Sequence, residues 1–133
     1  MSTSRREVVL LAYELWDRGE QDALAPYLSE DVVFDWSRRK LDPMVVSGEG
    51  DWREAVEKLG AAWSEWGMEI EEVIGHEQSV IAFVHVTGVG AASGIEVDAR
   101  VAHVWTFGSD GLVERMEYFP DRGAALAEIG ARG

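Results

Sequence analysis

Val8, Val9, Leu11, Ala12, Leu15 and Trp16 recur at three- and four-residue steps, which predicts an amphipathic helix from about residue 5 to Arg18. Ser4 with Glu7 forms a capping box ahead of it, and Gly19 supplies a stop. Asp22 can cap a second, short helix through Leu28, with Pro26 tolerable close to the first turn. The period then changes. Asp31 to Trp36 has the β-branched and aromatic content of a strand, and Ser37 to Pro43 reads as a polar loop. Asp51 and Glu54 form a second capping pair before Trp52, Val56, Leu59, Trp63 and Trp66, a stripe that predicts a helix ending at Gly67.

From Gly67 to Pro120 the chain is strand-like, over residues 68–75, 79–89, 95–108 and 112–119, with turn signals such as Ser109-Asp110-Gly111 between. Asp121 can cap a last short helix carrying Ala124, Ala125, Leu126 and Ile129. Segregated helices and a run of antiparallel strands predict an α+β fold, with the N-terminal helices packed on one face of a curved sheet. The stretch Gly88-Val89-Gly90-Ala91-Ala92-Ser93-Gly94 lies between two strands and has no helix after it. It reads as a hairpin connection and not as a phosphate cradle, which needs a helix N-terminus.

Alternation within the strands assigns side chains to faces. Val97, Ala99, Val101, His103, Trp105 and Phe107 stand together. Strand 79–89 repeats the theme with Ile81, Phe83, His85 and Thr87, so two of the three histidines are embedded in apolar strand faces. The opposite face then carries Ala82, Val84, Val86, Ala102 and Val104, an apolar patch that suggests a homodimer through the sheet. For the last strand the pattern is equivocal between Val113, Arg115, Glu117 and Phe119 on one face and Leu112, Glu114, Met116 and Tyr118 on the other.

Composition narrows the function classes. The 133 residues, 47% hydrophobic and 28% charged, fit a single domain spanning 1–133, with no apolar run near the ~18 residues that cross a bilayer. Glu7 and Glu14 interrupt the N-terminal apolar stretch, which reads as a first helix and not as an export signal. There are no cysteines, so disulfides and thiolate metal sites are excluded, and a cytoplasmic location is expected. A formal net charge of −13 argues against a nucleic-acid partner, and the short clusters Arg5-Arg6 and Arg38-Arg39-Lys40 read as solvated surface. No membrane role is indicated.

The order of elements, together with Tyr13-Glu14-Leu15-Trp16-Asp17-Arg18-Gly19, Ser29-Glu30-Asp31-Val32-Val33-Phe34-Asp35, Ser47-Gly48 before Trp52-Arg53-Glu54, and Val104-Trp105-Thr106-Phe107 ahead of Asp110-Gly111, resembles the SnoaL-like branch of the nuclear transport factor 2 (NTF2-like) superfamily. The resemblance covers nearly the whole chain. It implies a cone-shaped α+β barrel, in which a strongly curved, antiparallel-rich sheet wraps around three N-terminal helices, with a pocket at the wide end and a short C-terminal helix. It also agrees with a dimer through the sheet. The superfamily includes polyketide cyclases, ketosteroid isomerases, epoxide hydrolases and members that only bind, so fold alone does not choose a reaction.

Position by position, the resemblance puts His103 where isomerases have an oxyanion-stabilising acid and cyclases a pocket histidine. Glu117 falls at a last-strand carboxylate, and His85 at a second carboxylate of the hydrolases. It turns Glu117 inward, within direct or one-water reach of His103. Trp36 stands where the isomerase base would be, Ala12 near its helix-borne tyrosine, and Phe83 in place of the hydrolase arginine. The catalytic candidates are therefore His103, Glu117 and His85, with Trp16, Trp36, Phe83, Trp105, Trp63, Tyr13 and Phe119 as candidate ligand-binding walls. An apolar or aromatic ligand suits such a wall, and acid/base chemistry without metal or cofactor suits the titratable set. A non-catalytic binding module with the same pocket is the alternative.

Overall fold

A computed structural model describes residues 4–38, 45–48, 52, 54, 55, 57, 61 and 63–132. Helix α1 spans Arg5–Asp17, with the Ser4 hydroxyl accepting from the Glu7 amide as the capping box requires. It ends at Gly19, whose positive φ of 72° lets the Gly19 and Glu20 amides turn back to the Trp16 and Leu15 carbonyls. The second helical segment is a 3₁₀ turn over Gln21–Tyr27. Glu20, not Asp22, holds its cap position, without a side-chain capping bond, and Pro26 lies inside it. Residues 52, 54, 55, 57 and 61 are helical, in accord with the third helix. Asp51, Val56 and Leu59 of its expected capping pair and stripe lie outside the described residues, as do Arg39 to Pro43 of the polar loop.

Six strands follow: β1 Leu28–Asp35, β2 Val45–Ser47, β3 Trp63–His76, β4 Ser79–Gly90, β5 Glu96–Phe107 and β6 Val113–Phe119. They form one curved sheet in the order β2-β1-β6-β5-β4-β3, antiparallel except for the parallel β1–β6 pair. The sheet and helices have the NTF2-like α+β architecture.

Two expectations change. Trp63 and Trp66 open a strand and do not close a helix. A bulge between Trp63 and Glu65 absorbs one residue, so a three-residue spacing that mimics helical periodicity puts both rings on one face of a strand. Their centroids lie 5.0 Å apart, over Gly88 of β4.

The second change is register. Residues opposite one another in a ladder share a face, and Ala82 lies opposite His103, Val84 opposite Val101 and Ile81 opposite Val104. His103 therefore shares its face with Ala82, Val84 and Val86, while Ile81, Phe83 and His85 share theirs with Val104, Ala102 and Arg100. The inner face packs on α1, with Val8, Val9, Ala12 and Tyr13 against Val80, Ala82, Val84, Val101 and Trp105. The outer face packs Ile81, Phe83, Ala102, Val104 and Phe119 under Ala125 and Ile129 of the C-terminal helix, Arg122–Arg132. Asp121 caps that helix by accepting from the Ala124 amide at 2.7 Å. The apolar patch expected to carry a homodimer is thus divided between two internal cores, and all five of its residues are buried in a single chain.

Candidate functional site

Tyr13, four residues after Val9 on the buried stripe of α1, faces β5. Its hydroxyl lies 2.6 Å from His103 Nδ1 and accepts from Trp105 Nε1 at 3.1 Å. His103 and Trp105 alternate on the inner face, so one phenol reaches both. The Tyr13 and His103 rings are parallel within 7°, and Trp105 meets Tyr13 edge-on. Phe34 lies edge-on to Trp105 and packs with Trp36 and Trp52, and Tyr118 lies beside His103. The surroundings are buried and largely apolar. Burial pushes the Tyr13 phenol far above its usual value, an effect the Trp105 hydrogen bond only partly offsets, so the hydroxyl keeps its proton.

Glu117 does not join this group. It pairs with Val104 and so faces outward, although it is only 1% exposed. There it neighbours Asp35, its register partner on β1, and two arginines. Arg115 reaches Asp35 at 2.7 Å and Glu117 at 3.6 Å, and Arg38 lies 3.7 Å from Glu117 and 4.0 Å from Asp35. Burial raises the Asp35 carboxyl, but bonds from the Ser37 hydroxyl and amide and the charges of Arg115 and Arg38 outweigh it and hold the group below the usual carboxylate range. Arg38 also lies over Phe119 at 4.3 Å.

His85 is likewise on the outer face, where its Nε2 lies 2.7 Å from exposed Asp98. Phe83 sits beneath Arg122, 3.9 Å from its guanidinium, and Phe119 beneath Arg38. Phe83 and Phe119 therefore build the core under the C-terminal helix and not a wall beside His103. His85, His103 and Glu117 are not brought together, and no group of three or more His, Asp or Glu among the described residues could hold a metal ion. Of the expected wall, Tyr13 stacks on His103 and Trp105 meets Tyr13 edge-on, Trp36 packs on Phe34 within the same core, half-buried Trp16 packs against that core, and half-buried Trp63 lies on the same face farther along the sheet, over Gly88. Tyr13 is thus one hydrogen-bond partner of His103, one residue beyond the Ala12 position suggested by resemblance. The signal for it was its place on the buried stripe of α1.

The sequence pattern of the SnoaL-like domain family matches residues 9–116. The chain belongs to that family. No curated protein matches it. Among solved structures, this SnoaL-like chain resembles a protein from Jannaschia sp. CCS1 assigned as a SnoaL-like polyketide cyclase, at 20% identity and TM-score 0.76 over 98% of each chain. Bal32a, from a soil-derived mobile gene cassette, superimposes with TM-score 0.78 at 17% identity over 93% of this chain and 94% of its own. SalBIII, an epoxide hydrolase/cyclase-like enzyme of pyran ring formation in salinomycin, matches with TM-score 0.72 at 18% identity over 90% and 92%. At these identities the likeness shows the fold. Among the described residues no helix is long and apolar enough to cross a membrane.

Proposed function

We propose that this SnoaL-like protein binds a small apolar or aromatic molecule against the inner face of its sheet, and that His103 and Tyr13 carry out acid/base chemistry on it without a cofactor. The reaction class is that of polyketide cyclases, isomerases or hydrolases. The observation that carries the reading is the 2.6 Å Tyr13–His103 hydrogen bond, set between the rings of Trp105 and Tyr118. A core needs no imidazole, and an imidazole with a phenol behind it is a proton-transfer pair. Apolar surroundings strengthen any charge such a pair stabilises on a ligand. The assignment of the Jannaschia protein as a polyketide cyclase and of SalBIII as epoxide hydrolase/cyclase-like supports the class.

The alternative is a binding module that turns nothing over. It is favoured by one observation: the carboxylate expected to act as base, Glu117, stands on the other face. The two readings share a site and differ in turnover. Native mass spectrometry of the purified protein, before and after mild denaturation, would detect a co-purified small molecule. Quenching of tryptophan fluorescence by hydroxylated naphthoquinones would measure binding by His103→Gln and Tyr13→Phe against the parent. Weaker binding with retained fold supports the site, and a changed product mass on incubation supports the enzyme. Equal quenching of all three proteins removes the site from both readings.

A further inference from the structure

Arg5 and Arg6 open α1, where local chemistry disfavours them, since the first turn of a helix carries the positive end of its dipole and suits acids. Their use is tertiary. Arg5 Nη1 donates to the Glu77 carbonyl at 2.7 Å and Arg6 Nη2 to the Val73 carbonyl at 3.0 Å, 72 and 67 residues away in sequence. The chain holds 25 Asp and Glu residues, yet both arginines bond main-chain oxygens, which a sheet and its turn fix in place as no flexible carboxylate is fixed. Arg5 also lies over the ring of Phe107, the last residue of β5, 5.9 Å from its centroid. Glu77 holds a φ of 52°, a left-handed conformation uncommon without glycine, in the turn whose Gln78 carbonyl accepts from the Phe107 amide at 2.9 Å. The first turn of α1 is therefore tied to the β3–β4 turn and to the end of β5.

The Arg6 anchor stands in register with the inner site. Val73 pairs with Ala82 and Ala82 with His103, so the carbonyl that holds Arg6 and the imidazole that meets Tyr13 belong to one row of the sheet. They lie two strand spacings apart, about 10 Å. Arg6 and Tyr13 are seven residues apart on α1, hence on one stripe of the helix and also about 10 Å apart along it. We propose that Arg5 and Arg6 are positioning residues of the inner site, which fix α1 on the sheet and through it bring the Tyr13 oxygen onto His103 and Trp105. The tolerance is small. That oxygen must serve two groups at once, His103 Nδ1 at 2.6 Å and Trp105 Nε1 at 3.1 Å. A slip of the helix by about 1 Å carries either contact beyond hydrogen-bond reach. Val8, Val9 and Ala12 press α1 onto the sheet, but apolar burial is non-directional and leaves its position along the sheet open. The two guanidiniums supply that direction. Any consequence for a ligand rests on the proposed small-molecule site; the placement of Tyr13 does not.

The test uses the ligand-free, ¹⁵N-labelled full chain. The Trp105 indole N–H, assigned by its loss in Trp105→Phe, reports the position of the Tyr13 oxygen, because its proton resonance lies downfield while that bond is made. Tyr13→Phe supplies the resonance position with the bond absent. In Arg5→Ala/Arg6→Ala the Trp105 resonance should move upfield toward that position. Arg18→Ala, which removes the exposed Glu14–Arg18 pair at the other end of α1, should leave it at the parental position. The single variants Arg5→Ala and Arg6→Ala should give smaller shifts of the same sign, and they carry the test should the double variant fail to fold. A parental resonance in the folded arginine variants, even with a lower urea midpoint, makes the pair a brace for stability alone and overturns the proposal. The ligand consequence is read by naphthoquinone quenching, which should be weaker for the double variant than for Arg18→Ala. Equal quenching of those two, with the indole resonance displaced, overturns the ligand consequence and leaves the placement standing. No quenching of the parent overturns the small-molecule site, and the indole resonance alone then decides the placement.

Discussion

His103 and Glu117 occupy neighbouring strands and opposite faces of the sheet. Tyr118 is paired with His103 and Glu117 with Val104, so two buried polar groups one register step apart point into different cores. The imidazole answers to helix α1 and the carboxylate to Arg38 and Arg115. Chemistry on one face therefore has little claim on the other, and the two residues should respond differently to substitution.

Glu117→Gln is expected to lower stability by about 1–3 kcal/mol, because a buried group loses charge in front of two guanidiniums. It should leave naphthoquinone quenching on the inner face within experimental scatter of the parent. Urea denaturation and fluorescence titration of the same preparation measure both. Loss of binding without loss of stability would return Glu117 to the site.

Tyr13→Phe removes the one oxygen that serves both His103 and Trp105. Two buried polar atoms lose that partner, for a cost of roughly 2–4 kcal/mol. Tyr27→Phe, a change on a partly buried ring outside this network, should cost far less. Similar midpoints for the two variants in urea would show that the Tyr13 hydroxyl bonds are not stabilising.

Much of this was legible in the residues. Ser4, Glu7 and Gly19 mark the ends of α1, and Asp121 the start of the C-terminal helix, because caps are local chemistry. The hairpin at Gly90–Gly94 was equally local, closed by bonds between Gly90 and Ile95 and between Gly94 and Gly90. What was not legible was the register across that hairpin. Side chains alternate with period two, so an error of one residue exchanges the faces of a whole strand. That single ambiguity put His85 and Phe83 beside His103, and gave the homodimer an apolar patch that the folded chain buries. Trp63 and Trp66 misled for a related reason, since a bulge gave a strand the spacing of a helix. The inner-face partner of His103 lay 90 residues away in sequence, at a distance only tertiary packing sets.

Asp35 should make part of the stability acid-sensitive. Its carboxyl is held below the ordinary range in the folded chain, so its stabilisation is present above the unfolded value, about 3.9, and is lost as pH falls through the lower native value. Wild type should therefore weaken more steeply than Asp35→Asn between about pH 5 and pH 2. Urea midpoints across that interval measure the difference. Parallel curves would mean that Ser37 and Arg115 bind the amide as well as the carboxylate.

Gly88 is where two tryptophans meet the sheet, and its missing side chain is what admits them. A Cβ there would stand 3.0 Å from a carbon of each ring of Trp63 and Trp66, and 3.2 Å from the Glu65 carbonyl oxygen. Two effects oppose each other in Gly88→Ala. Relieving a glycine in a strand interior stabilises by roughly 0.5–1 kcal/mol, whereas overpacking costs about 1–3 kcal/mol. Trp66 is 41% exposed and can swing away, but the Glu65 carbonyl is fixed by the β3–β4 ladder and half-buried Trp63 has less room. The contacts should win, leaving Gly88→Ala less stable by about 1 kcal/mol, with tryptophan emission shifted to the red as Trp66 moves into water. Gly75→Ala on the same ladder is the control, since nothing lies within 4 Å of its added carbon. It should be neutral or slightly stabilising, with unchanged emission. Equal stability of the two alanine variants would mean that the indole pair yields freely and that Gly88 is not what holds it in place.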